Sequence, residues 1–294
     1  MIRPSFIILS HRSALSVTRL IGRLNLMFDR PVVVVHHDQS KSQLLQADLP
    51  ENAILLEHSY PINWAEHGIV RAVMSGYRRI VDQPRDTDWV TLLSETDYPI
   101  KSADVISREL GSSTFDAYID AKRILPRHTK DVWHDQRVER YQQFMITPTS
   151  VDPVTRTDRQ GTRLSVRLSR LLLPFYWGTT CWAGSMWMTL RSSAAAKLVQ
   201  AFDEARYLDW HYQRCVVSDE SHLQTLLMDL GLRVSTSSDL RYIDWTAGGN
   251  SPKTLTTTDL PEILASTDHF ARKFDLHVPE SARAMDLIDA ETMK

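Results

Sequence analysis

Short apolar runs alternate with amphipathic stretches through the first half of the chain. Phe6 to Leu9 has no polar position, which predicts a strand buried on both faces. Ala14 to Phe28 follows with Leu20, Leu24 and Phe28 at helical spacing. Pro31-Val32-Val33-Val34-Val35 is β-branched and ends in polar His36-His37-Asp38, which predicts a second strand. Ala53 to Leu56 reads as a third strand, and Trp64 to Val81 as a helix with Ile69, Val73 and Ile80 on or near one face. Trp89 to Leu93 reads as a fourth strand and Phe115 to Ile119 as a fifth. Further on, the spacing predicts helices near Ser192 to Ala205, Asp219 to Leu230 and Ser281 to Asp289, with a strand over Leu240 to Trp245.

This alternation predicts an α/β fold with a mainly parallel central sheet and helices on both faces. Ligands collect beyond the carboxyl ends of such strands. His37-Asp38 and Ser94-Glu95-Thr96-Asp97 therefore stand at the expected mouth. The stretch from Thr147 to Gly161 is rich in Thr, Ser, Pro and Asp and reads as a loop. Beyond it, Arg163, Arg167 and Arg170 interleave with Leu164, Leu168 and Leu171, the pattern of a short basic amphipathic helix. Its leucines either dock on the protein, or the helix meets an anionic membrane surface or lipid-linked acceptor. No linker separates independent cores, so a single domain over residues 1–294 is expected, irregular at about 145–170.

Length and composition narrow the class. A chain of 294 residues is within reach of one large α/β domain. Hydrophobic content of 43% and charged content of 24% are ordinary for a soluble globular protein. The formal net charge of -2 argues against a general nucleic-acid binder. Cys181 and Cys215 make neither a disulfide framework nor a zinc site and fit a reducing compartment. No apolar stretch approaches the ~18 residues of a membrane span. The run Ser5-Phe6-Ile7-Ile8-Leu9-Ser10 is too short for the hydrophobic region of a signal peptide. A cytoplasmic location is expected, peripheral to the inner membrane face if the basic helix meets lipid.

Candidate chemistry concentrates late in the chain. The strand-like Leu240 to Trp245 is followed by Ser251-Pro252-Lys253-Thr254 and Phe270-Ala271-Arg272-Lys273-Phe274-Asp275. Two ammonium groups, Lys253 and Lys273, can offset the charge that grows on a departing diphosphate, a task often given to a divalent cation. The planar fork of Arg272 suits phosphate oxygens. Solvated surface lysines are the alternative. Glu220, in Ser218-Asp219-Glu220, is either a general base for an acceptor hydroxyl or a stabilising acid in the first turn of a helix.

A metal reading competes with the lysines. Asp86-Thr87-Asp88 has an Asp-x-Asp spelling but precedes its strand. Glu95-Thr96-Asp97 follows one, and either binds a metal or turns through Tyr98-Pro99 into a helix from Ser102. His36 and His37 point to opposite faces of a strand and do not converge on an ion. Asp38 is placed to hold the ribose or base of a nucleotide. Trp182, Trp187 and Trp245 flank Ala183-Gly184-Ser185 or the loop Gly248-Gly249-Asn250, and either stack on sugar rings or pack in the core.

Together these segments resemble, in order and over most of the chain, the Core 2/I-branching β-1,6-N-acetylglucosaminyltransferases and peptide O-xylosyltransferases, glycosyltransferase family 14. Val35-His36-His37-Asp38 is similar to the family's His-Val-Asp element, and Ser94-Glu95-Thr96-Asp97-Tyr98-Pro99-Ile100-Lys101 to its Ser-Gly-x-Asp-Tyr-Pro-Leu-Lys. Phe6 to His11, Trp64 to Val70, Ala183 to Trp187, Asp219-Glu220, Arg241 to Trp245 and Phe270 to Asp275 complete the series. The resemblance implies a GT-A-type domain and an inverting transfer of a GlcNAc- or xylose-class sugar from a UDP-sugar to a glycan or lipid-linked glycan. It implies no cofactor and no metal. Glu220 then stands at the base position and Lys273 and Lys253 on the diphosphate. Asp38 stands at the nucleotide, with His11 and Asp97 in matched segments of the same pocket. Trp245 stands near the acceptor, with Trp187 and Ser185 beside it. Three departures stand out: Glu95 and the pair Ala65-Glu66 replace glycines, and Ser218 replaces a proline. They keep two alternatives open, a metal-dependent transferase using Glu95 and Asp97, and a sugar-nucleotide-binding or scaffolding protein without chemistry. The family's animal members carry a membrane anchor and a disulfide-bearing domain, neither of which is visible here, which suggests a bacterial-type relative.

Overall fold

Four parallel strands form the centre of the structure. Strand β1 (Pro4–Ser10) lies between β2 (Val32–His37) and β4 (Trp89–Ser94), with β3 (Ala53–Leu55) outside β2. Beyond β4 the sheet continues through β7 (Trp182–Arg191), β6 (Ala117–Arg123) and β8 (Val234–Ser235), of which β7 alone runs against its neighbours. The order β3-β2-β1-β4-β7-β6-β8 with one reversed strand is the expected GT-A-type α/β arrangement. This computed structural model describes residues 2–12, 14–83, 86–142, 172–249 and 251–293. The basic helix expected over Arg163–Arg170, and the irregular segment around it, lie outside the described residues.

The all-apolar β1 run has a simple cause. Ile7 and Leu9 face one core, with Val34 and Leu92 from the neighbouring strands and Val73 and Tyr77 from helix α2 (Gly68–Val81). Phe6 and Ile8 face the other, with Val33, Val35 and Leu93 and with Leu20 and Leu24 from helix α1 (Ala14–Phe28). Each such side chain contributes roughly 1.5–3 kcal/mol on burial. Gly76 lets α2 lie directly on β1, since a Cβ there would stand 2.6 Å from Ile7 Cγ2.

Several element boundaries differ from the sequence reading. Helix α2 begins at Gly68, not Trp64, because residues 64–67 form a turn with Ala65 at φ 67. Asp219 and Glu220 do not open an α-helix. They lie in a 3-10 turn, Ser218–Glu220, that follows Val217 at φ 55 and precedes α7 (His222–Met228). Asp97 belongs not to a turn but to β5 (Asp97–Pro99), paired with β10 (Phe270–Arg272), which pairs in turn with β9 (Arg241–Ile243). Of this small second sheet only β9 was predicted, within the strand over Leu240 to Trp245; β5, β10 and their pairing were not, nor were β7 as a strand, α4 (Val132–Tyr141) and α6 (Arg206–Tyr212).

Two features brace the site. Gly184 sits at a bulge where β7 crosses Asp120 of β6, so close that a Cβ would meet the Asp120 carbonyl oxygen at 1.9 Å. The closing helix α9 (Pro279–Thr292) is pinned to α1 through Asp289, which pairs with Arg19 at 2.9 Å and Arg23 at 3.0 Å and accepts from Tyr98 Oη. Among the described residues no helix is long and apolar enough to cross a membrane.

Candidate active site

The carboxyl ends of β1, β2 and β4 open into one mouth, tied together by backbone bonds from Asp38 N to Ser10 O at 2.9 Å and from Glu95 N to Leu9 O at 3.0 Å. Glu95 turns inward. It is 5% exposed and accepts the backbone N–H groups of His11 at 3.2 Å and Arg12 at 3.1 Å, which fixes the loop leaving β1. Asp97 is also buried; one oxygen lies 2.7 Å from Arg241 Nε and the other accepts from the amide and hydroxyl of Ser94. Both carboxylates considered for a metal are thus engaged by protein donors.

Asp38 is buried and organises its own loop, accepting from Ser40 at 2.6 Å and from Ile62 N at 2.8 Å. Burial raises its pKa, but these donors and Lys41 outweigh that and leave it below the usual carboxylate range. His11, half exposed, has its pKa lowered by burial and by the cations Lys41 and Arg12.

The two lysines differ in kind. Lys253 Nζ lies 2.5 Å from Asp259 and 3.7 Å from Asp244, and the Asp259 hydrogen bond foremost raises its pKa. Lys273 Nζ donates to a neutral hydroxyl, Ser251 Oγ, at 2.6 Å; burial, then Arg12 and Arg272, lower its pKa. Their segments run side by side, with Leu255 N bonded to Lys273 O and Lys253 N to Asp244 O, both at 2.9 Å. An anion at the mouth would relieve the repulsion around Lys273, whereas Lys253 is already paired.

A chain of contacts leads from the lysines to Glu220. Arg272 packs inward, its guanidinium 4.3 Å from the Trp187 ring, and Arg241 lies 4.8 Å from the same ring. Trp187 is 7% exposed, so its faces are occupied rather than open to a sugar. Ser185 Oγ donates to Asp239 at 2.6 Å, and its carbonyl accepts from Gln224, which also donates to Asp219 O. Because β7 is reversed, its Ser185 end lies on the same side of the sheet as the mouth. Trp245, 55% exposed, stands before a turn in which Gly248 and Gly249 take positive φ.

Glu220 is held between two guanidiniums of α4, Arg137 at 3.0 Å and Arg140 at 3.6 Å. Trp133 backs the first of these, its ring 4.2 Å from Arg137 Cζ. Next to it, burial and the charge of Glu220 push Asp219 up to about 7. Tyr141 Oη donates to Val217 O at 2.8 Å and anchors the turn.

Sequence reasoning missed Arg12, Lys41, Arg137 and Arg140. Arg12 had a usable signal, since it follows a strand end as Asp38 does. The α4 pair had none, because the helix itself was not recognised.

A profile of the Core-2/I-Branching enzyme family matches residues 6–268. The chain is similar to Beta-glucuronosyltransferase GlcAT14A of Arabidopsis thaliana, 22% identical over 249 residues that cover 82% of this chain and 51% of that protein. It is also similar to Beta-glucuronosyltransferase GlcAT14B of the same plant, 25% identical over 215 residues that cover 71% of this chain and 44% of that protein. The chain spans about half the length of these curated relatives.

Proposed function

The chain belongs to the Core-2/I-Branching enzyme family, and on that premise we propose that it transfers a sugar from a nucleoside-diphosphate sugar to a glycan hydroxyl. The observation that carries the reading is Glu220, a partly exposed carboxylate clamped by Arg137 and Arg140 in the turn tied through Gln224 to Ser185, at the end of β7 that lies beside the mouth. Glu220 takes the proton of the acceptor hydroxyl as its oxygen attacks the anomeric carbon. The bond from that carbon to the diphosphate breaks, and the pair of electrons leaves with the nucleotide. Lys273, near enough to Arg12 to feel its charge, stabilises the departing charge. A single displacement of this kind inverts the anomeric centre.

The donor is read as UDP-linked. The names of both relatives add glucuronate to the GlcNAc and xylose classes implied by the motif resemblance. Trp245, exposed beside a glycine turn, suits the apolar face of an acceptor sugar. The engagement of Glu95 and Asp97 by backbone amides, Ser94 and Arg241 favours cationic side chains over a divalent ion on the diphosphate.

UDP release is the test, with UDP-GlcNAc, UDP-xylose and UDP-glucuronate, each with and without a glycan acceptor, in buffer free of added metal. Acceptor-dependent release that manganese does not increase supports the reading. Release only with manganese overturns the cation mechanism, and no release with any donor leaves a sugar-nucleotide-binding protein.

A further inference from the structure

On the far side of the Glu220 turn, three elements bring two histidines and an aspartate together. His67 caps the start of α2, Asp209 lies on α6, and His222 is the first residue of α7. One potential ligand atom from each lies within 4.8 Å of the others. Ligand atoms around a tetrahedral zinc stand about 3.3 Å apart, given Zn–N bonds of about 2.0–2.1 Å, so small side-chain adjustments would close the site.

His222 supplies the second, independent observation. It is fully buried, and neither ring nitrogen has a hydrogen-bond partner. Its ring lies between Tyr212, stacked at 4.7 Å, and Phe202, at 5.2 Å, with His67 at 5.4 Å. A buried polar nitrogen left without a partner is destabilising, so its retention in an aromatic box calls for a reason.

The surrounding contacts are those of a prepared ligand set. His67 Nε2 faces Asp209 Oδ1 at 3.0 Å, while its Nδ1 meets Ser218 Oγ at 3.0 Å, an arrangement that fixes the ring orientation and leaves a hydroxyl to accept from Nδ1–H when an ion displaces the proton between Nε2 and Asp209. Gln213 donates to the other Asp209 oxygen at 2.6 Å. A cleft of about 330 Å³, lined by Trp64, Glu66, Arg71 and Gln213 among others, reaches His67 and gives an ion a way in.

We propose that His67, Asp209 and His222 form a binding site for one first-row divalent metal ion, zinc by the donor set, with a fourth position open to water from the cleft. Two imidazoles and a carboxylate suit zinc and its neighbours rather than magnesium or calcium. The ion would join α2, α6 and α7 beside Ser218 and so brace the turn that carries Asp219 and Glu220. It is a structural clip, separate from the diphosphate chemistry.

The test is metal uptake by the purified, metal-free protein, read without any activity assay, so that failure of the transfer reading leaves it intact. The expected result is one equivalent of zinc bound, a rise of several degrees in Tm with zinc in excess, and visible absorption of a tetrahedral site with cobalt. Asp209→Asn and His222→Phe should abolish uptake, and Ser218→Ala should weaken it roughly 10–100-fold. Without metal, His222→Phe should melt at or above the wild-type Tm, because the box loses two unpartnered nitrogens. Wild-type protein that takes up no zinc and gains no Tm overturns the proposal, as does undiminished uptake by Asp209→Asn or His222→Phe.

Discussion

The Glu220 carboxylate is held 3.0 Å from the Arg137 guanidinium, which itself rests on the Trp133 ring. This clamp fixes where the carboxylate points, so position and proton transfer can be separated by mutation. Glu220→Gln should lower transfer about 10²–10⁴-fold with Tm nearly unchanged. Arg137→Met, which keeps an apolar stem on Trp133, should lower it up to about 10²-fold through misplacement of the base. Wild-type turnover in Glu220→Gln would show that another group takes the proton.

The unequal surroundings of the two lysines predict unequal phenotypes. Lys273→Ala should weaken UDP binding roughly 10–100-fold, the worth of a charged hydrogen bond, and the wild-type affinity should fall with rising salt. Lys253→Ala leaves Asp244 and Asp259 without their cation, so its first effect should be on Tm and loop order rather than on UDP. Calorimetric titration with UDP separates the two, and equal losses of affinity would contradict the distinction.

Asp97 and Arg241 form an ion pair with side chains 0% and 1% exposed. Breaking it from one side, in Asp97→Asn or Arg241→Met, should cost about 3–5 kcal/mol of stability, because the remaining charge stays buried. The double substitution should cost less than either single one. Denaturant unfolding of all three variants checks this, and additive losses would count against the pairing.

His36 gives a pH signature. Its Nε2 accepts from Tyr60 N, so the proton sits on Nδ1 and the ring is neutral. Burial lowers its pKa to about 4, against the opposing pull of Asp38 and with small contributions from His37 and His58. The unfolded chain, near 6.5, binds the proton more readily, so stability is full above about 6.5 and declines as pH falls toward about 4. His36→Gln keeps an acceptor there and should flatten the fall of Tm over that range; an unchanged slope would assign it to other groups.

Buried strands and amphipathic helices were the legible part of the sequence. The β1, β2 and β4 runs are apolar on both faces, and α1 spans the residues its spacing indicates. What escaped notice depends on contacts distant in sequence. The three-residue strands β5 and β10 are too short to show a period and exist because each pairs with another, whereas β9 falls within the strand read over Leu240 to Trp245. β7 carries the small residues of a bulge, which masks its strand pattern. At the site, residue types pointed to Glu220 and the lysines, but not to which lysine is already neutralised, since Asp259 and Asp244 become partners of Lys253 only once the loop folds.

Asp289 links the last helix to the first, through Arg19 and Arg23. On a ribosome, which delivers the N-terminal segments first, the parallel strands can assemble early. Strand β10 with Arg272, and Lys273 after it, arrive late, and α9 locks onto α1 only once Asp289 has been made. Arg12 and Lys41 thus emerge with the scaffold strands, and Lys273 joins them only after those strands have been made.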